Sequence, residues 1–115
     1  MPDSNLNISF QNLKRVVLVT VDGRIDSSNA SEFDDAMKGI MENGKHNILL
    51  ELSGVNYMSS AGLRTMVSTL KECKKNRGDV RLAEVSKRVS EVLALAGLDS
   101  LFSVFDDKTE GVGSF

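Results

Sequence analysis

Leu6, Ile8 and Phe10 alternate with polar neighbours, the two-residue period of a half-buried strand. Asn12 and Lys14 mark a turn, and the β-branched, wholly apolar run 16–19, continued by Thr20 and Val21, reads as a buried strand. Two adjacent strands with a short connection predict an antiparallel hairpin, which Asp22-Gly23 closes. The period then changes. Asn29 with Glu32 three residues on resembles a capping box, and Phe33, Met37, Ile40 and Met41 follow at helical spacing up to a stop at Asn43-Gly44. Residues 47–52 are again strand-like. Leu63, Met66, Val67, Leu70 and Cys73 predict a second helix, and Val80, Leu82 and Val85 a further strand. Ser86 opens a third helix with Val89, Val92, Leu93 and Ala96 inward and Gly97 as its stop. Residues 101–105 read as the last strand, and the tail from Asp106, with Gly111 and Gly113, as a frayed end.

The predicted order is β-β-α-β-α-β-α-β. Helical crossovers imply parallel pairing between the later strands. The expected fold is therefore α/β: one mixed, mostly parallel sheet with an N-terminal hairpin and three to four helices. With so few helices, the second face of the sheet should be poorly covered. The chain reads as a single domain over 1–115, with its core over about 5–106.

Composition narrows the function. At 115 residues and 41% hydrophobic, the chain is long enough for one core and too short for two domains. A net charge of −2 argues against nucleic acid as a partner. The basic run Lys71, Lys74, Lys75, Arg77 and Arg81 fits a solvated helix end, where cations suit the dipole. No apolar stretch approaches the ~18 residues of a membrane span, and residues 1–5 carry no secretory signal, so no membrane partner is expected and the expected location is the cytoplasm. One cysteine fits a reducing compartment.

The most informative stretch is 52–64, where an apolar strand meets Ser59 and Ser60 and then Ala61-Gly62-Leu63-Arg64. The first amides of a helix lack internal acceptors, so a hydroxyl there can cap them. The same amides and the helix dipole favour negative charge, so the fold would tolerate a phosphate on a serine at this place. That phosphate adds roughly −1.5 to −2 charges, which a docked partner could desolvate only at high cost. On spacing alone, capping and switching both remain open for the two serines.

The junction resembles the signature of STAS domains, the family of anti-sigma factor antagonists and sulphate-transporter tails, in which an Asp-Ser-Ser-Gly-Leu-like motif follows an apolar strand. Ser59-Ser60-Ala61-Gly62-Leu63 occupies that motif. The resemblance extends to Asp22-Gly23-Arg24-Ile25-Asp26, to 49–53 and to 92–102. It implies phosphorylation at Ser60, with Ser59, which replaces the motif Asp, as the alternative. It also implies a partner surface of Asp26, Ser27, Met58, Ser59, Ser60, Ala61, Gly62 and Arg64, while Asn29 is assigned to capping. Arg64 departs from a position often small in the family. Four residues after Ser60, it shares that helix face and could pair with a phosphate or with an acidic partner. The implied partners are an anti-sigma factor serine kinase and a metal-dependent serine phosphatase. The implied role is that of a binder and substrate, not an enzyme, with no cofactor. The rival reading is a phosphorylation-independent STAS adaptor in a signalling or lipid-transport complex.

Other residues do not assemble a site. His46 precedes the third strand and Ser60 follows it, so six strand residues separate them by roughly 20 Å and a catalytic dyad is not expected. Cys73 falls on an apolar helix stripe. One His and one Cys cannot make a typical zinc site, so no metal is expected, and no Gly-x-x-x-x-Gly-Lys-Ser/Thr phosphate loop is present, since His46 follows Gly44-Lys45.

Overall fold

The structure, a computed structural model, describes residues 6–115; residues 1–5, read above for a secretory signal, lie outside the described residues. Five strands form one sheet in sequential order: β1 (Leu6–Asn12), β2 (Val17–Ile25), β3 (Asn47–Met58), β4 (Asp79–Ala83) and β5 (Val104–Phe105). β1 pairs antiparallel with β2, and every later pairing is parallel. The crossovers carry α1 (Ala30–Glu42), α2 (Ser60–Lys75) and α3 (Lys87–Leu95). Each crossover moves one strand further in the same direction. With a common handedness, all three helices therefore land on one face.

Side-chain burial follows from that. Val17, Val19 and Val21 of β2, Ile48, Leu50 and Leu52 of β3, and Val80 and Leu82 of β4 alternate into one large core. Phe33, Met37, Met66, Cys73, Val89 and Leu93 meet them from the helices. The opposite face holds a smaller cluster of Val16, Leu18, Leu49 and Ala83.

A short helix α4 (Lys108–Gly113) lies against that second face, where a frayed tail was expected. The Asp107 side chain caps it by accepting from Glu110 N at 2.8 Å. Gly111 is buried against Leu49, so closely that a Cβ there would stand 2.8 Å from the Leu49 methyls. Arg81 fastens the end: its Nη1 donates to Ser114 O at 2.6 Å, and its guanidinium lies 4.3 Å from the centre of the Phe115 ring. Val112 and Phe115 thus complete the cluster that the crossover helices cannot reach.

Four further expectations are corrected. β2 does not stop at Asp22-Gly23. Gly23 adopts φ 109°, the register with β3 slips on either side of it, and pairing resumes to Ile25. β3 likewise runs on past Leu52 to Met58, burying Val55 and Met58. The last strand shrinks to two residues, and Ala96, expected inward, is exposed at the end of α3.

Candidate functional site

The longer β2 and β3 bring two junctions together at the C-terminal edge of the sheet. Ile25 and Met58 are paired across it, and Ser59 N donates to Ile25 O at 2.8 Å, so the start of α2 is tied to the end of β2. Ser59 is the N-cap of α2. Its extended backbone (φ −81°, ψ 169°) lets the hydroxyl accept from Gly62 N at 3.2 Å. Ser60 is the first helical residue. It is exposed, and no described residue hydrogen-bonds its hydroxyl. The two serines, equivalent in the sequence pattern, are therefore separated by geometry: one hydroxyl is engaged by the fold and the next is free.

Gly62 explains how close the helix comes. A Cβ there would sit 2.7 Å from Ile25 Cγ2 and 3.2 Å from Met58 Cγ. Both Gly62 and Met58 are buried. Of the expected partner-surface residues, these two shape the surface from beneath it. Ser27, Ser60 and Arg64 stand exposed, and Asp26, Ser59 and Ala61 are half-buried.

The β2–α1 loop is built by its own polar side chains. Asp26 Oδ1 accepts from Ser28 N at 2.9 Å and from the Ser28 hydroxyl at 2.6 Å. That hydroxyl bond above all, with lesser help from backbone amides and Arg24, holds the Asp26 carboxyl below its ordinary value of 3.8. Asn29 is the N-cap residue of α1, as expected, but its side chain does not cap the helix. Its Oδ1 accepts from Asp26 N and its Nδ2 donates to Arg24 O, each at 2.9 Å, bracing the loop from below. Sequence spacing could not distinguish these uses, because an Asn before a helix serves either. Arg24 lies 4.5 Å from the centre of the Tyr57 ring, its neighbour across the β2–β3 pairing. Sequence reasoning did not single out this pair.

Arg64 makes no hydrogen bond or ion pair with any described residue, and it shares the exposed face of α2 with Ser60. His46 lies at the far end of the twelve-residue β3 from Ser60 and is not brought to it. Cys73 is fully buried in the core, and burial, aided by Asp79 and Glu72, pushes its thiol up to about 11. Among the described residues no group of three His, Cys, Asp or Glu side chains could hold a metal ion, and no helix is long and apolar enough to cross a membrane.

The chain matches the STAS domain over residues 7–111. It is 30% identical over 100 residues to the anti-sigma-B factor antagonist of Staphylococcus aureus, covering 87% of this chain and 93% of that one. The crystal structure of an anti-sigma factor antagonist from Mycobacterium paratuberculosis superposes with a TM-score of 0.86 at 22% identity, over 99% of this chain and 96% of that one. The phosphorylated form of the Bacillus cell fate determinant SpoIIAA superposes with a TM-score of 0.76 at 15% identity, over 94% and 98% of the two chains. A match of this extent, on a fold with this strand order and this serine-bearing helix start, settles the assignment: the chain belongs to the STAS domain family.

Proposed function

We propose that this protein is an anti-sigma factor antagonist switched by phosphorylation of Ser60. Unphosphorylated, it binds an anti-sigma factor that is also a serine kinase, so freeing a sigma factor for transcription. The kinase transfers phosphate to Ser60 and the complex dissociates. A metal-dependent serine phosphatase restores the binding form, all within the cytoplasm. The relatives' names support the first step, and the solved phosphorylated form of a protein with this fold supports the second.

The observation that carries the choice of residue is the division of labour between Ser59 and Ser60. A phosphate on Ser59 would cost α2 its cap, whereas a phosphate on Ser60 meets only solvent and the positive end of the helix. Binding is lost because a hydrated dianion then occupies a surface the partner must desolvate. Asp26, Ser27, Ala61 and Arg64 surround that point on this reading, with Met58 and Gly62 as their support.

The test is incubation with the cognate anti-sigma kinase and ATP, followed by peptide mass spectrometry and calorimetry. One phosphate on Ser60, none in Ser60→Ala and no affinity for the kinase in Ser60→Asp are expected. Phosphate on Ser59 alone, or equal affinity of wild type and Ser60→Asp, would reject the switch.

A further inference from the structure

The exposed face of α2 does not end at Ser60. At intervals of three to four residues it continues through Arg64, Val67 and Lys71, a line about 16 Å long at the ~1.5 Å rise of a helix. Beside it runs an open groove of ≈ 620 Å³, floored by the half-buried Leu63, Val67 and Leu98 and rimmed by Arg64, Lys71 and Asp34.

The charges on this rim are unequal in their commitments. Asp34 is engaged within the fold: Lys38 Nζ lies 2.9 Å from its carboxylate and Thr65 Oγ1 donates to it at 3.4 Å. Arg64 and Lys71 have no ion-pair or hydrogen-bond partner among the described residues. Further along the same helix, Lys74 lies 3.7 Å from Asp79 and Lys75 lies 3.9 Å from Glu72. The helix thus neutralises its C-terminal cations and leaves the two beside the groove open, although the chain as a whole carries a net charge of −2.

We infer that this groove, which adjoins the kinase surface around Ser60 and shares Arg64 with it, receives an acidic, amphipathic helical segment of the anti-sigma factor. Apolar side chains at i, i+3/i+4 and i+7 would cover Leu63, Val67 and Leu98, and flanking carboxylates would meet Arg64 and Lys71. Two cations are too few for a nucleic-acid footprint, and an apolar floor between them suits a helix better than an extended polar chain. Paired charges at the edge of such a contact set partner choice and association rate more than total affinity. Arg64 would therefore select which anti-sigma factor the protein engages. The inference rests on the proposed function for the protein that carries the segment, and on the groove for the segment's chemistry.

Calorimetry with the cognate anti-sigma factor would compare wild type, Arg64→Glu/Lys71→Glu and, as a control of equal charge change, Lys14→Glu/Lys108→Glu. Circular dichroism would confirm folding, with Arg64→Gln/Lys71→Gln as the milder variant. The groove pair should lose about tenfold or more in affinity and the control less than about twofold. In a second arm, wild type is titrated by NMR with a Leu-striped helical peptide flanked by Glu, and with its Lys-for-Glu counterpart. Only the acidic peptide should shift the amides of Leu63, Val67, Lys71 and Leu98. Equal losses in both charge-reversed proteins, or no shift at these amides, would overturn the inference. If wild type binds no anti-sigma factor, the proposed function fails and the peptide arm alone decides the groove.

Discussion

The starts of α2 and α3 are built alike and present opposite surfaces. Each follows a parallel strand, and each is capped by a serine whose hydroxyl accepts from the amide three residues on: Ser59 from Gly62 at 3.2 Å, and Ser86 from Val89 at 3.3 Å. The next three residues differ at every position. α2 has Ser60, Ala61 and Gly62, and α3 has Lys87, Arg88 and Val89. Val89 fills the core with its own side chain, whereas Gly62 lets the core residues Ile25 and Met58 come up against the helix backbone. Ser86 also donates to Val55 O at 2.7 Å, so its hydroxyl binds α3 to β3, while Ser59 is tied to β2 through its amide. Capping is thus common to both junctions. What distinguishes the α2 start is a bare first turn, with one free hydroxyl and its nearest helix cation, Arg64, a full turn further on.

Exchanging the third position tests this most severely. In Gly62→Val, two methyls would enter a space where even the Cβ stands 2.7 Å from Ile25 Cγ2. Ile25 is fully buried and cannot swing away. Overpacking of this kind costs about 1–3 kcal/mol, and this site should lie at the upper end, as a fall in the midpoint of urea unfolding. A loss below about 0.5 kcal/mol would mean that α2 can lift off β2 without consequence.

The two caps come next and should be unequal. Ser86→Ala removes the acceptor for Val89 N and also the donor to Val55 O, so about 2 kcal/mol is expected from the lost cap and the orphaned carbonyl. Ser59→Ala removes the acceptor for Gly62 N alone, for which about 1 kcal/mol is expected. Equal losses by thermal denaturation would contradict the asymmetry described above.

The sequence made the order of elements up to the last strand, the helix stripes and the Ser86 cap legible, because each rests on a local period or a cap residue. It misled where backbone and tertiary contacts overrode local signals. Asp22-Gly23 looked like a strand end, yet Gly23 at φ 109° passes the bulge and pairing continues. Gly111 suggested fraying, although it is the residue that lets α4 rest on Leu49, and Asp107 with Glu110 was a capping signal within reach. At the site, the resemblance pointed to Ser60, with Ser59 as the alternative, while spacing alone left both open. The geometry of the α2 start adds a physical difference that spacing could not show, since which serine caps depends on the residue at which helical dihedrals begin.

A smaller effect is expected from the neighbouring loop. The folded-state pKa of Asp26 lies below its ordinary 3.8, chiefly through the Ser28 hydroxyl. A depressed carboxyl pKa gives a contribution present above the unfolded value and lost as the pH falls through the folded one. Wild type should therefore lose slightly more stability than Asp26→Asn between neutral pH and pH below 3.8. Parallel losses would show that the loop does not depend on the ionised carboxylate. Because the Asp26 side chain is only partly shielded from solvent, the difference should be smaller than that for either cap.

The smallest expected change in stability belongs to the residue with the largest proposed consequence. Ser60→Ala removes a hydroxyl that no described residue bonds, so its stability should stay within about 0.5 kcal/mol of wild type. Phosphorylated Ser60 should be unchanged or more stable by about 0.3–1 kcal/mol, because the dianion sits at the positive end of α2. Ser60→Lys, which copies α3 at this position, should move the other way by a similar amount. A switch of this kind requires both halves: a fold indifferent to the charge and a partner that is not. Calorimetric melting of the three proteins, beside their affinities for the kinase, measures the halves separately. If phosphorylation lowered the melting temperature by more than a few degrees, release of the partner would follow from loosening of α2. The bare first turn would then be a weak point in the fold and not a surface kept clear for contact.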